Sequence, residues 1–143
     1  MRKKFFFGIG IVLLCLVVLG IYTIYKPHHN VIGDQAVATM PAKVLYNEFL
    51  HSESAASKKW VGKVIEVTGI ISAVGEGDSY ISINLEGAPE GGVNCSFLKK
   101  DLSPGLKTNK GDSITIKGKC TGFLMDVNLV DCVVNNNNPV ISK

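Results

Sequence analysis

The chain has 143 residues, 46% of them hydrophobic, with 15 Lys plus Arg against 12 Asp plus Glu and a formal charge of +3. Four of the basic residues, Arg2, Lys3, Lys4 and Lys26, frame one apolar run, so residues 27–143 carry 11 basic and 12 acidic side chains and a net charge of −1. Those 117 residues make one small domain, and their charge balance excludes the basic stripe that neutralises nucleic-acid phosphates.

The apolar run is Phe5 to Tyr25, 21 residues without a charge. About 20 apolar residues at 1.5 Å rise span a bilayer's hydrocarbon core. The basic flank Met1–Lys4 keeps to the cytoplasm, which places the chain after Lys26 outside a bacterial cytoplasmic membrane. A cleaved signal peptide is the alternative, with Val18-Leu19-Gly20 as a weak cleavage signal. The run continues through Ile21, Tyr22, Ile24 and Tyr25, and the two tyrosines suit the outer interface, so an uncleaved anchor is favoured. Cys15 follows Leu14, which is too large for a lipoprotein processing site, and reads as a membrane-buried thiol. The chain thus divides into a basic tip and anchor (1–26), a juxtamembrane tether (27–40), a folded domain (41–134) and a flexible tail (135–143).

In the tether, Pro27 and Gly33 interrupt a stretch of little periodicity. Thr39-Met40-Pro41 reads as a helix start, with Pro41 in the first turn. One helix is predicted over Pro41–Ser57, with Val44, Leu45, Phe49 and Leu50 as its apolar stripe and Glu48, Glu53, Lys58 and Lys59 on the wet side. The period then changes to two. Lys63–Val74 reads as a long strand with Ile65, Val67 and Ile71 inward and a bend at Gly69. A turn at Gly75–Asp78 leads to a strand over Ser79–Leu85, and a turn at Gly87–Gly92 leads to a third over Val93–Leu98. Lys99–Lys110 is a connector in which Pro104 and Gly105 oppose a long helix. Ser113–Phe123, bent at Gly118, and Val127–Val134 complete five strands. Two long, glycine-bent strands in a set of five predict the OB-fold, a mainly β Greek-key barrel, here with an N-terminal helix and one preceding transmembrane helix.

Several segments carry a family resemblance: Lys63–Gly69 (Lys-Val-Ile-Glu-Val-Thr-Gly), Val93–Phe97, Lys110–Cys120, Leu129–Cys132 and the helix around Tyr46-Asn47-Glu48. Together they resemble the tRNA_anti-like family, over roughly Val44 to Val134. The resemblance implies an OB-fold domain, often tethered to the bacterial envelope. Its name reflects a distant similarity to anticodon-binding domains and implies no tRNA binding.

Cys95, Cys120 and Cys132 share the inward phase of their strands. Three buried free thiols are one reading; a disulfide outside the cytoplasm is the other. Cys120 and Cys132 sit symmetrically about Asp126 and form the candidate pair, with Cys95–Cys132 as the alternative, since the third and fifth strands of an OB barrel are neighbours. The cysteines show no zinc spacing, and an inward thiol without a base is inert. His28-His29 reads as polar linker and His51 as a surface residue, so no metal or cofactor is expected.

OB-folds bind ligands on the face of their second and third strands. Here that face would carry Tyr80, Ser82, Asn84, Asn94 and Ser96, with Glu86 and Glu90 in the adjoining hairpin. Its polarity suits an envelope protein, a peptide or a saccharide, and an ordinary solvated sheet is the plain alternative. A nucleic-acid strand needs several aromatics over a positive groove. No catalytic triad, HExxH, P-loop or carboxylate pair can be assembled, so the expectation is a non-catalytic binding module tethered to the membrane through Phe5–Tyr25. A second reading is a carrier similar to the haem chaperone of cytochrome c maturation. That family attaches haem through a carboxy-terminal His followed by a Tyr, and nothing after Thr121 is either residue.

Overall fold

The computed structural model describes residues 33–102 and 108–135, together with Leu14, Cys15, Val17, Val18 and Val31. Most of the expected anchor, His28-His29, Pro104-Gly105 and the tail beyond Asn135 lie outside the described residues. Leu14, Cys15, Val17 and Val18 are helical and exposed. Among the described residues no helix is long and apolar enough to cross a membrane.

The elements run β1 (Thr39–Pro41), α1 (Ala42–His51), α2 (Glu53–Trp60), β2 (Val64–Glu76), β3 (Tyr80–Ala88), β4 (Gly91–Leu98), a 3₁₀ turn (Lys99–Asp101), β5 (Ser113–Phe123) and β6 (Val127–Val134). Strands β2 to β6 close in the order β2-β3-β4-β6-β5 and back to β2. That is the OB-fold barrel. The closure depends on β2 changing partners: Val64–Ile70 pair with β5, and Ile71–Glu76 pair with β3 across an irregularity at Ile71/Ala73. The bend falls just after Gly69. A Cβ at Gly69 would lie 2.9 Å from Ala42 Cβ and 3.1 Å from Leu85 Cβ, so the glycine is needed for the close approach of α1. Alternate residues of β2 to β6 fill the interior: Ile65, Val67, Ile71, Ile83, Leu85, Val93, Ile116, Val127 and Leu129 are wholly buried.

The expected tether joins the sheet from Val37 onward. Val37 N donates to Val64 O at 2.9 Å, and β1 then runs parallel to β2 with Thr39 opposite Glu66. β1 covers the β2 edge that β3 does not reach, which leaves no open edge there.

The single predicted helix is two. Ser52 is extended at φ −158° and ψ 91°, and it ends α1 and precedes α2. Glu53 in the first turn of α2 and Lys58 and Lys59 in its last complement the helix dipole. The buried stripe of α1 is also rotated from the expected one. Ala42, Leu45, Tyr46 and Phe49 face the barrel, whereas Val44 and Leu50 are about half exposed. The burying face therefore follows the regular i, i+3, i+4, i+7 spacing.

The break lets α2 fold back along α1. Trp60 Nε1 donates to Glu48 Oε2 at 2.7 Å, and Lys59 Nζ reaches the same carboxylate at 3.0 Å while sitting 4.5 Å from the indole centroid. The Trp60 hydrogen bond, and then Lys59, hold the Glu48 carboxyl below its usual value against an opposing effect of burial. A depressed carboxylate stabilises the fold above its unfolded value, and that contribution is lost as pH falls through the folded one. Trp60 is the one tryptophan of the chain. Its fluorescence is therefore expected to titrate with a midpoint below the ordinary Glu range of about 4.3. Glu48→Gln should remove that transition; a transition that persists in the variant would assign it to another group.

Candidate functional site

Period two in β3 and β4 sends Ile83, Leu85, Cys95 and Phe97 inward and leaves Tyr80, Ser82, Asn84, Asn94 and Ser96 on the outer surface. The β3–β4 register brings these into cross-strand pairs, Ser82 opposite Ser96 and Asn84 opposite Asn94. Tyr80 stands opposite Leu98 at the far end and is 53% exposed. The row extends beyond the predicted set. β6 runs parallel to β4 with Asn128 beside Asn94, so three asparagines from three strands line up across the sheet. Asn94 Nδ2 donates to Asn84 Oδ1 at 2.5 Å, and Ser72 Oγ donates to Asn84 O at 3.0 Å. Thr121 Oγ1 donates to Asn128 O at 3.2 Å and borders the row on the β5 side. Neither Asn128 nor Ser72 was legible as part of the face, because the first depends on a non-local parallel pairing and the second on the irregularity in β2.

A cleft of about 290 Å³ opens at the β3–β4 hairpin end of the row, lined by Ser72, Asn84, Glu86, Glu90, Gly92 and Asp126 among others. None of its lining residues is Lys or Arg. The Asp126 carboxylate accepts from Gly92 N at 2.7 Å, which ties the β5–β6 turn to the β3–β4 hairpin. Beneath it lies the Tyr46 phenol, whose pKa is raised by burial and then by the Glu90 and Asp126 carboxylates. At the Tyr80 end, Lys99 Nζ is paired with Glu76 Oε1 at 2.7 Å and holds that carboxyl below its usual value. The row is thus neutral and rich in amides and hydroxyls, and it ends in an acidic cleft.

Cys95, Cys120 and Cys132 all face the core and all are free thiols. The expected pairing of Cys120 with Cys132 is not formed. The β5–β6 turn pairs Phe123 with Val127 and the register shifts between Cys120 and Gly122, which sets Cys120 opposite Leu129; Asp131, at φ 52°, lies in a second shift further along. The neighbour of the Cys132 thiol is that of Cys95. His51 is exposed on α1, its Nδ1 2.8 Å from Asn47 O. Among the described residues no three His, Cys, Asp or Glu side chains converge as metal ligands.

Several solved structures are similar to this chain. A Klebsiella pneumoniae lipoprotein described as a candidate nucleic-acid binder matches at a TM-score of 0.53 and 19% identity, covering 67% of this chain and 91% of that one. The S. pombe Stn1–Ten1 complex matches at 0.40 and 15%, over 51% of this chain and only 58% of that chain's own length. An OBody bound to hen egg-white lysozyme matches at 0.41 and 15%, over 53% and 83%. No curated protein matches the chain in sequence. The tRNA_anti-like family profile spans residues 1–134, from the amino terminus to the end of β6, and the chain belongs to the tRNA_anti-like family.

Proposed function

We propose that this chain is a non-catalytic OB-fold binding module, tethered by Phe5–Tyr25 and working on the outer side of the cytoplasmic membrane. Its working surface is the face bearing Tyr80, Ser82, Asn84, Asn94 and Ser96, extended by Asn128. The observation that carries this reading is the row of uncharged amides and hydroxyls that the β3–β4–β6 register assembles. Amides offer both donors and acceptors, which suits a peptide backbone or a saccharide chain. A phosphodiester chain would meet Glu86, Glu90 and Asp126 at the cleft with no cation lining it to receive the phosphates. The anchor is supported by the length and flanks of the apolar run and by the helical, exposed Leu14, Val17 and Val18.

The test is capture of the intact, membrane-extracted chain after crosslinking in cells, beside a Tyr80→Ala plus Asn84→Ala variant. Both positions lie on the surface, so the variant is expected to fold and to lose an envelope partner by tenfold or more. A partner retained equally by the variant would remove this face from the function. Salt-sensitive retention of a single-stranded oligonucleotide, lost in the variant, would replace the reading with nucleic-acid binding.

A further inference from the structure

We propose that Cys95 and Cys132 are joined by a disulfide when the domain folds in an oxidising compartment, and that this bond staples the β4–β6 seam beneath the asparagine row. The choice of compartment rests on the outward placement proposed above, whereas the pairing rests on the barrel itself. β4 and β6 meet as parallel strands through Val93–Val127, Asn94–Asn128 and Cys95–Leu129, and the register goes no further. The pair of cysteines begins where that ladder stops. Cys95 and Cys132 are both buried, at 0% and 1% exposure, in the same core. The left-handed Asp131 supplies the extra residue that returns Cys132 to the inside. There its thiol neighbours that of Cys95 across the β4–β6 seam. Gly118 on β5 makes the room: a Cβ at that position would lie 2.6 Å from Cys132 Sγ. Cys120 faces Leu129 and does not compete.

The chemistry balances as an exchange. Cys95 and Cys132 give up two protons and two electrons, and a disulfide-bearing oxidant is reduced to two thiols through a mixed disulfide that the second cysteine resolves. Burial, and then the adjacent Cys95, push the Cys132 thiol well up, so little thiolate exists in the closed barrel. Both side chains are closed to solvent in the folded barrel, so an oxidant reaches them before the seam shuts. Once made, it encloses the connector and β5 in a covalent loop and holds Asn94 and Asn128 side by side.

The test uses the full chain, unfolded and refolded in detergent with oxidised and reduced glutathione, then blocked with N-ethylmaleimide and mapped by mass spectrometry. The expected product links the Cys95 and Cys132 peptides and leaves Cys15 and Cys120 alkylated. Alkylation of both Cys95 and Cys132, or a bridge containing Cys120, would overturn the proposal. Reduction is expected to lower the denaturant midpoint of the parent and of Cys120→Ala, and to leave Cys95→Ala and Cys132→Ala unmoved; an equal shift in all four would also overturn it. Blocking thiols in cells before lysis separates the two readings. A bond found there supports the outward placement, whereas a bond made only by the purified chain keeps the site and removes the placement.

Discussion

Gly92→Ala is expected to cost the domain about 3 kcal/mol or more, the upper end of what added volume costs in a packed interior. A Cβ at Gly92 would lie 1.9 Å from Leu85 O and 3.0 Å from Gly87 N. Both are backbone atoms of β3, so no side-chain rotation relieves the clash. The hairpin must open, and opening pulls Gly92 N from the Asp126 carboxylate it now meets at 2.7 Å. A hydrogen bond to a charged group contributes about 1.5–3 kcal/mol. Small domains have only about 5–15 kcal/mol in total. Urea unfolding of the full chain in detergent should show the midpoint falling sharply with little change in slope. Gly33→Ala is the control: nothing lies within 4 Å of its added Cβ, and its effect should stay within about 0.5 kcal/mol. Equal midpoints for the two variants would mean that the hairpin is looser than its geometry requires.

The barrel was legible because its strands obey a local rule. Period-two alternation from Val64 through Ile71 and from Ile114 through Cys120 identifies the inward residues, and each of them except Gly69 and Gly118 is a bulky apolar or thiol side chain. The helices were less legible for a reason of chemistry. Tyr46 is amphipathic, yet it is 2% exposed because Gly87 and Gly91 leave a slot for its ring, a fact set by residues far along the chain. Ser52 followed by Glu53 was a readable helix start, but no Gly or Pro stands between Leu50 and Ser57 to mark the break. β1 has three residues, too few for any period to emerge. At the candidate face, Asn84 and Asn94 were within reach because a tight hairpin sets local partners symmetrically. The same arithmetic failed for Cys120 and Cys132, since the turn pairs Phe123 with Val127 and a shift at Cys120/Gly122 then sets Cys120 opposite Leu129.

Phe49→Ala is expected to cost about 3–5 kcal/mol, the range for deleting a buried phenyl ring. Phe49 is 1% exposed and stacks on Phe123 at 5.5 Å between centroids with planes 23° apart. Tyr46 meets the same Phe123 edge-on at 5.8 Å. These three rings join α1 to the end of β5, and α1 in turn packs across β2, β3 and β4. Removing the Phe49 ring leaves a cavity that a helix of 10 residues, fixed to β1 at one end and to α2 at the other, cannot collapse to fill. For a domain of this size 1 kcal/mol moves Tm by about 4–8 °C, so Tm should fall by at least roughly 12 °C. Phe49→Leu, which keeps most of the volume, should lose less than half as much. Tyr80→Ala separates stability from function: at 53% exposure Tyr80 contributes little to the core, and its variant should melt within about 2 °C of the parent while binding fails. A Phe49→Ala protein as stable as Tyr80→Ala would mean that α1 is not the lid of this barrel, and the close approach at Gly69 would then need another cause.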